Sequence, residues 1–518
     1  MKHSLQFVRE IANLERYSLA RANAGLYYNV IVGPRLQLQA HSQQIPHDPS
    51  QWIKLLTRPL TWLIQKHPSL SVVVGEHLST KPTFLRMRSI DISRIIRVTS
   101  IQHPSEIANV VEQEHARPFD FLDVEVPLWR MVVVHVQDDD SFFLLYVFQH
   151  VIGDGRSGMA LTEQLVQRLN VEAAEEAEAL LAGPTESVSP LSTVVIPPED
   201  PLPLPLEMRV NCSPSWSTLV KEATMSLLLP GFVKKAIEKK YWSGEVDATL
   251  EVPHETQAGM WFLTPEETSR VTRAAKAHST TVQSILYTAS VFAAKAVFLS
   301  TVEGERNQVS TTKDEFVYAT PVSLRPLISP SVARHDQGGY VSEVTTRGIR
   351  VELDTEFWEM TAAYRKQVIE STTTAKGVRG MLEHVGLLDH LPTHQGAWEE
   401  FLRGLVTKEQ HGRGSTLMLS NLGKAWEQEQ PSSVAFRVQD GIFSQSGSII
   451  SGAVTLNAAT ANGVLSMIGT WQKATFTMGR ERGEQFLTEF KRILLEATES
   501  ERISYRFQDA FHHITQMQ

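Results

Sequence analysis

A proline-rich stretch near the middle of the chain is the feature that most restricts how it can fold. Eight of the 25 prolines lie between Pro184 and Pro214. Because proline fixes φ and has no backbone N–H, such a stretch can supply neither a helix interior nor the donors of a sheet. We predict that it crosses the surface in extended form. It would form part of a linker at 184–250, between an N-terminal lobe at 1–183 and a C-terminal lobe at 251–518.

The composition is that of a globular protein with a large core. Of the 518 residues, 42% are hydrophobic and 21% are charged, which is too apolar for a disordered chain. The net charge of −9 argues against nucleic acid as a partner, since neutralising phosphates requires a basic surface. The single cysteine, Cys212, excludes an intrachain disulfide and a cysteine cage for zinc.

The sequence also indicates where the protein resides. Arg9 and Glu10 stand where a signal peptide would need its apolar run, and no segment provides the roughly 20 consecutive apolar residues of a transmembrane helix. A chain with one cysteine is typical of a reducing compartment. We therefore expect a cytoplasmic, monomeric protein with no transmembrane segment.

The first half contains a pattern of strand, loop and helix. Arg130–Val136 and Phe142–Gln149 are apolar runs separated by three aspartates, which predicts an antiparallel hairpin. The second run is almost continuously apolar, so we expect that strand to be buried on both faces. Ser157 is a candidate N-cap for the helix that follows, whose leucines recur every four residues.

The second half alternates predicted helices and strands. Thr264-Pro265 is typical of a helix start, and a second helix with an apolar stripe runs from Val282 to Phe292. Together with the first half, this pattern predicts a mixed α/β (α+β) fold. The predicted strands are Phe316–Val322, Thr416–Ser420, Ala453–Leu456 and, after an Asn462-Gly463 turn, Leu465–Trp471.

The loop HVIGDGRSG, which begins at His150, admits several interpretations. Its GxGxxG spacing fits a dinucleotide site, but that site needs a second parallel strand, and the following helix leads into acidic and proline-rich sequence instead. A metal site would need a further ligand from a distant segment. The loop could also be structural, a buried strand end followed by an Asp-Gly turn. A histidine at such a strand end can alternatively reach a substrate hydroxyl as a general base.

The same loop, read as HxxxDG over His150, Asp154 and Gly155, resembles the active-site motif of the CoA-dependent acyltransferase superfamily. That superfamily includes chloramphenicol acetyltransferase, plant BAHD acyltransferases and condensation domains, and the chain is most similar to the fungal alcohol acetyltransferase group. Further landmarks occur in the expected order: Leu14–Ser18 with Tyr27–Val30, His67-Pro68, Arg117–Asp120, Pro127–Arg130, Tyr241–Gly244, Thr320–Pro326 and Ser420–Gly423.

The resemblance implies two chloramphenicol-acetyltransferase-like lobes, each a mixed β-sheet with flanking helices, and an active-site tunnel at their interface. It implies acyl-CoA, and acetyl-CoA in particular, as a co-substrate, with no permanently bound cofactor and no metal. The acceptor would be an alcohol, a hydrophobic small molecule or a secondary metabolite. Acyl transfer would be direct, through a tetrahedral intermediate.

The resemblance also implies roles for individual residues. His150 would be the general base, and Asp154 would pair with Arg325 and so orient the loop. Gly155 would leave room for the thioester. Ser420 and Asn421 are candidates for the oxyanion donor, or they cap the end of a strand.

Three later residues, Ser444, Gln445 and Trp471, are candidates for substrate contacts in the tunnel, or they belong to turns and the core. Two other functions remain open. One is transfer to an amine, or from a carrier-protein thioester as condensation domains do. The other is a non-catalytic binding protein on the same fold.

Overall fold

The computed structural model describes residues 5–39, 46, 48–182, 192–223, 241–250, 254–299, 315–408, 412–426, 434–499 and 504–511. Its α-helices are α1 (Asn13–Asn23), α2 (Pro49–Lys66), α3 (Ile107–His115), α4 (Gly155–Ala182), α5 (Leu206–Arg209), α6 (Trp216–Ala223), α7 (Pro265–Ala277), α8 (Val282–Phe298), α9 (Phe357–Thr373), α10 (Ala375–Gly386), α11 (Ala397–Lys408) and α12 (Arg480–Ala497).

The strands form two large sheets and two small ones. In chain order they are β1 (Gln6–Glu10), β2 (Val30–Leu38), β3 (Val72–Gly75), β4 (Thr83–Arg86), β5 (Ile90–Asp91), β6 (Ile96–Ile101), β7 (Trp129–Val136), β8 (Ser141–Phe148), β9 (Val194–Val195), β10 (Thr256–Phe262), β11 (Phe316–Ser323), β12 (Val341–Ile349), β13 (Ser415–Lys424), β14 (Phe436–Gln445), β15 (Gly452–Ala461) and β16 (Val464–Gln472).

The two large sheets are mixed. One has the order β14-β2-β8-β7-β6 and the other β10-β16-β15-β13-β11-β12. The predicted hairpin is β7 and β8, which pair from Trp129↔Phe148 to Val136↔Ser141. Every residue of β8 is buried, as its continuous apolar sequence predicts. The smaller sheets are β1-β4-β3 and β5-β9.

One strand crosses the predicted boundary between the lobes. Strand β14 belongs by sequence to the C-terminal half, yet it pairs antiparallel with β2 at the edge of the N-terminal sheet, from Phe436↔Leu38 to Gln445↔Val30. Arg35 Nε donates to Asp440 Oδ2 at 2.8 Å across this pair. The ranges 1–183 and 251–518 stay a prediction, and β14 of the second range completes the sheet formed by the first.

The starts of two predicted helices can be compared with the structure. Helix α7 begins as predicted, with Thr264 and Glu267 in a capping box. Helix α4 begins at Gly155, and Asp154 Oδ1 accepts from the backbone N–H of Ser157 at 2.9 Å. The prediction of Ser157 as N-cap is wrong because Asp154, three residues earlier, already binds that N–H.

Residues 192–223 of the predicted linker run largely without regular structure and contact both halves. Arg86 Nη2 donates to the carbonyl of Asp200 at 2.6 Å, and the hydroxyl of Tyr340 donates to the carbonyl of Leu204 at 2.6 Å. The side chains of Leu206 and Cys212 pack into a cluster with Leu324 and Tyr340, among others. This part of the linker therefore anchors the two halves as well as connecting them.

Within the described ranges, no single helix is both long enough and apolar enough to cross a membrane. Helices α7 and α8 meet that criterion only as a pair, and the pair is bent by 103°.

Candidate active site

The loop after β8 is held from both sides. Gln149 ends the strand, and its side chain accepts from the backbone N–H of Val151. His150–Ile152 then form a single 3-10 turn before helix α4 begins. Val30 of β2 pairs with both Phe148 and Gln445. Val30 begins β2, whereas Phe148 and Gln445 end β8 and β14. Gln445 and His150 therefore lie at the same end of these three neighbouring strands.

The His150 imidazole lies in a desolvated environment beside Tyr27. The two ring centroids are 6.0 Å apart, with the rings edge to face. Burial, and next the positive charge of Arg21, lower the pKa of His150 to about 4, although Asp154 acts in the opposite direction. The ring is therefore neutral at pH 7, the state in which a general base accepts a proton.

Asp154 forms the predicted ion pair with Arg325. The Nη1 of Arg325 lies 2.6 Å from Asp154 Oδ2, and both side chains are buried. The same oxygen accepts from the backbone N–H of Tyr340 at 3.0 Å. Burial by itself would raise the pKa of Asp154, but the charge and hydrogen bonds of Arg325 and the backbone N–H groups of Tyr340 and Ser157 together lower it. Both carboxylate oxygens are thus engaged in holding the loop.

A second segment, 336–340, completes the support for this loop. The N–H of Asp154 donates to the carbonyl of Gly338 at 3.3 Å. Arg325 Nη2 donates to Ser157 Oγ at 2.9 Å, and the guanidinium lies 4.9 Å from the centroid of the Tyr340 ring. Gly338 has a φ of +138°, a conformation that L side chains rarely adopt. Sequence reasoning missed this segment, since no local pattern links it to His150.

Gly155 lies where β13 and β14 approach the start of α4. A Cβ at this position would lie 3.0 Å from Leu422 Cδ2 and 3.2 Å from the ring of Phe443. The structure thus shows a packing reason for glycine here, because a side chain would crowd the Phe443 ring and Leu422 of the Ser420–Gly423 (SNLG) segment. The predicted role of Gly155 in leaving room for the thioester stays a prediction.

Ser420 and Asn421 lie in the second half of β13, just before an irregularity in its pairing with β15, and differ in their surroundings. Asn421 Oδ1 accepts from the N–H of Gly423 at 2.8 Å, and Gly423 has a φ of +72°. This contact supports the turn of the backbone at Gly423, inside β13, so the role of Asn421 as oxyanion donor or strand cap stays a prediction. Ser420 is half-buried and pairs in parallel register with Asn457 of β15. Paired residues face the same side of a sheet, so Ser420 and Asn457 lie side by side.

Gln445 connects this pair to the histidine. Its Nε2 donates to Asn457 Oδ1 at 3.0 Å, and its Oε1 accepts from the hydroxyl of Tyr27 at 3.3 Å. The structure therefore assembles a polar row that runs from His150 through Tyr27, Gln445 and Asn457 to Ser420. Tyr27 belongs to one of the sequence landmarks without an assigned role, whereas nothing in the sequence singled out Asn457.

Two predicted substrate-binding residues lie elsewhere. Ser444 Oγ is 2.8 Å from His115 Nε2 in a fully buried network, because adjacent residues of a strand face opposite sides. Trp471 is 1% exposed, donates from Nε1 to Gln257 Oε1 at 3.0 Å, and packs against Gly483 of α12. Both side chains belong to the interior, which is the core role that the sequence left open for them, and their contact with substrate stays a prediction.

Among the residues that the structure describes, no three His, Cys, Asp or Glu side chains converge as metal ligands would.

Comparison with known proteins gives a family match over most of the chain. The sequence profile described as alcohol acetyltransferase matches residues 101–494. A protein of Aspergillus fumigatus named “Probable alcohol acetyltransferase crmB” is 23% identical over 307 residues, which cover 56% of this chain and 58% of that protein. The chain thus matches somewhat more than half the length of this relative.

Solved structures are similar over nearly the whole chain. The trichothecene 15-O-acetyltransferase of Fusarium sporotrichioides superposes with a TM-score of 0.61 at 12% identity and covers 94% of both chains. The condensation domain of the monacolin K polyketide synthase gives a TM-score of 0.54 at 12% identity, over 97% of this chain and 99% of that one. At such identities the likeness shows the fold, and it confirms the predicted two-lobed mixed architecture.

The family profile spans the HxxxDG loop, Arg325 and the SNLG segment, which the structure brings together around His150. Sequence landmarks, fold and profile agree, and the chain belongs to the alcohol acetyltransferase family.

Proposed function

We propose that this protein is an acyl-CoA-dependent O-acyltransferase that transfers an acetyl group to the hydroxyl of a hydrophobic small molecule or secondary metabolite. The observation that carries the proposal is a neutral His150 on a loop that the buried Asp154–Arg325 pair fixes in place. Imidazole with a free ring nitrogen is suited to general-base work at neutral pH. The family match supports acyl transfer as the reaction.

In the proposed mechanism, His150 takes the proton of the acceptor hydroxyl while the alcohol oxygen attacks the thioester carbonyl. A tetrahedral intermediate forms, the C–S bond breaks, and the CoA thiolate leaves. The imidazolium then returns its proton to the thiolate. Because the alcohol attacks the thioester directly, no covalent intermediate forms on the enzyme. General-base assistance of this kind contributes about 10²–10⁴ in rate.

The negative oxygen of the intermediate needs a hydrogen-bond donor. The polar row at the sheet edge offers the Ser420 hydroxyl, which stands in register with Asn457. Asn421 is the other candidate: its Oδ1 accepts from the N–H of Gly423, which leaves the two N–H donors of its Nδ2. In this proposal the oxyanion role belongs to Ser420 or Asn421.

The test is incubation with acetyl-CoA and a panel of hydrophobic alcohols while the release of free thiol is followed. We expect ester formation by the wild-type protein. His150→Ala should lose at least about 10² in kcat, because the base is removed. His115→Gln is a matched control, since His115 is also buried but contacts Asn29 and Ser444 in the interior network. Unchanged turnover in His150→Ala would contradict the mechanism.

The same experiment separates the other donor. If free acetyl-CoA is inert and a loaded carrier protein is consumed, the protein uses a carrier thioester, as a condensation-type enzyme does. If both donors are inert while a ligand still binds, the protein is a binding module. A cytoplasmic, monomeric enzyme is part of our proposal, and localisation by fluorescent fusion together with light scattering would test it.

A further inference from the structure

We propose that Arg21 is a positioning residue of this site, which clamps Tyr27 against His150 and holds a positive charge beside the imidazole. The consequence of this positioning for catalysis rests on the proposed function. The effect of Arg21 on the pKa of His150 does not depend on that function and can be measured without any substrate.

The geometry of the clamp is a stack of aromatic rings around one guanidinium. Arg21 lies in the last turn of α1, and its Cζ is 4.7 Å from the centroid of the Tyr17 ring and 4.4 Å from that of Tyr27. Cations favour such positions over the faces of aromatic rings. Tyr27 then meets His150 edge to face and donates its hydroxyl to Gln445. Arg21 is thus connected to the polar row through Tyr27.

The charges around this stack are those of Arg21 and of Glu343 on β12, which act on the Tyr17 phenol in opposite directions. Over the ranges that the structure describes, Arg21 forms no ion pair with a carboxylate, and its buried Nε has no hydrogen-bond partner. Nη2 makes a long hydrogen bond of 3.4 Å to Ser18 Oγ. A partly buried cation is screened less by water and salt than one at the surface, so its charge acts over a longer distance.

The charged groups that act on His150 are Arg21 from α1 and Asp154 from its own loop. Asp154 is held by Arg325, so its attraction for an imidazolium is shared with that arginine. Tyr17 and Tyr27 also titrate, but burial raises the pKa of both phenols and leaves them uncharged at neutral pH. Arg21 therefore repels a second positive charge at His150 and favours the neutral base.

The first test is the pKa of His150, measured by hydrogen–deuterium exchange at the imidazole C2 and read by mass spectrometry. Arg21→Met should raise this pKa by at least about half a unit, because repulsion of the imidazolium is removed. Arg21→Lys should keep it low. Arg16→Met is the matched control on the same helix, since the Arg16 guanidinium lies 4.5 Å from the Trp398 ring and not at Tyr27.

The second test is the pH profile of kcat/KM. Its acidic limb should move to higher pH in Arg21→Met, by as much as the pKa of His150 rises, and should stay in place in Arg21→Lys. A His150 pKa that is unchanged in a folded Arg21→Met protein, or raised equally by Arg16→Met, would overturn the proposal. Arg21→Gln serves as the neutral variant if the methionine variant does not fold. Should the wild-type protein transfer no acetyl group, the proposed function fails while the exchange measurement still decides the role of Arg21.

Discussion

At the scale of single residues, Asp154 illustrates what a charge requires once it leaves water. The residue is 5% exposed, and its carboxylate accepts from Arg325, Tyr340 and Ser157, so each oxygen has partners. Removing one partner of such an ion pair leaves the other charge buried without compensation. The residue that orients the loop therefore also stabilises the fold.

Asp154→Asn should lower the free energy of unfolding by about 3–5 kcal/mol, because Arg325 loses its counterion. The pKa of Asp154 is lowered in the folded state, so its stabilisation is fully present above the unfolded pKa of about 3.9 and is lost progressively as pH falls from there through the lower folded pKa. Urea unfolding at pH 7 and at pH 3 would measure both effects. Lys473→Met, at an exposed ion pair with Glu255, is the control and should cost less than about 1 kcal/mol. Equal losses in the two variants would refute the prediction.

At the scale of elements, β14 is the strand on which the site depends. It delivers Gln445 to the edge where β8 ends, and it completes a sheet formed by the opposite half. Its position is tightly packed, since a Cβ on Gly441 would come within 2.4 Å of the Trp426 ring. Trp426 in turn donates to Thr162 of α4 at 3.0 Å. The strand, the SNLG end of β13 and the helix after His150 are thus packed together.

Gly441→Ala should therefore destabilise the protein by about 1–3 kcal/mol, because the added methyl group cannot fit without moving the ring. Thermal unfolding of purified protein would measure the loss. Gly380→Ala, in the interior of α10 with nothing within 4 Å of the added Cβ, should instead be neutral or stabilising. A Gly441→Ala protein as stable as Gly380→Ala would show that β14 is not closely packed at Trp426.

At the scale of the whole molecule, β14 joins the two halves into one folding unit, because it belongs to one half by sequence and to the sheet of the other. The N-terminal sheet without β14 would expose the edge of β2, and an unpaired edge is a liability. We expect a single unfolding transition in urea, with coincident curves from tryptophan fluorescence and far-ultraviolet circular dichroism. Two separated transitions would mean that the lobes unfold independently despite sharing β14.

The sequence by itself determined the local elements and the chemistry of the loop. Continuous apolar residues predicted the buried β8, and Thr264-Pro265 predicted the start of α7, since both depend on neighbours along the chain. The ordered landmarks indicated the family and the partner of Asp154. The prediction of Ser157 as N-cap failed because the helix begins earlier, and the side chain of Asp154 accepts from the backbone N–H of Ser157.

Only the tertiary structure decided which strands share a sheet and which side chains meet. Ser444 and Gln445 are neighbours in sequence, yet one faces His115 in the interior and the other faces Tyr27 beside His150. Trp471 became a core residue once α12 covered it. Arg21 and Tyr27 are close in sequence, but Asn457 lies hundreds of residues further along the chain. Local propensity cannot encode such contacts, because they form only when distant apolar faces pack together and bring the polar ends of their strands to a common edge.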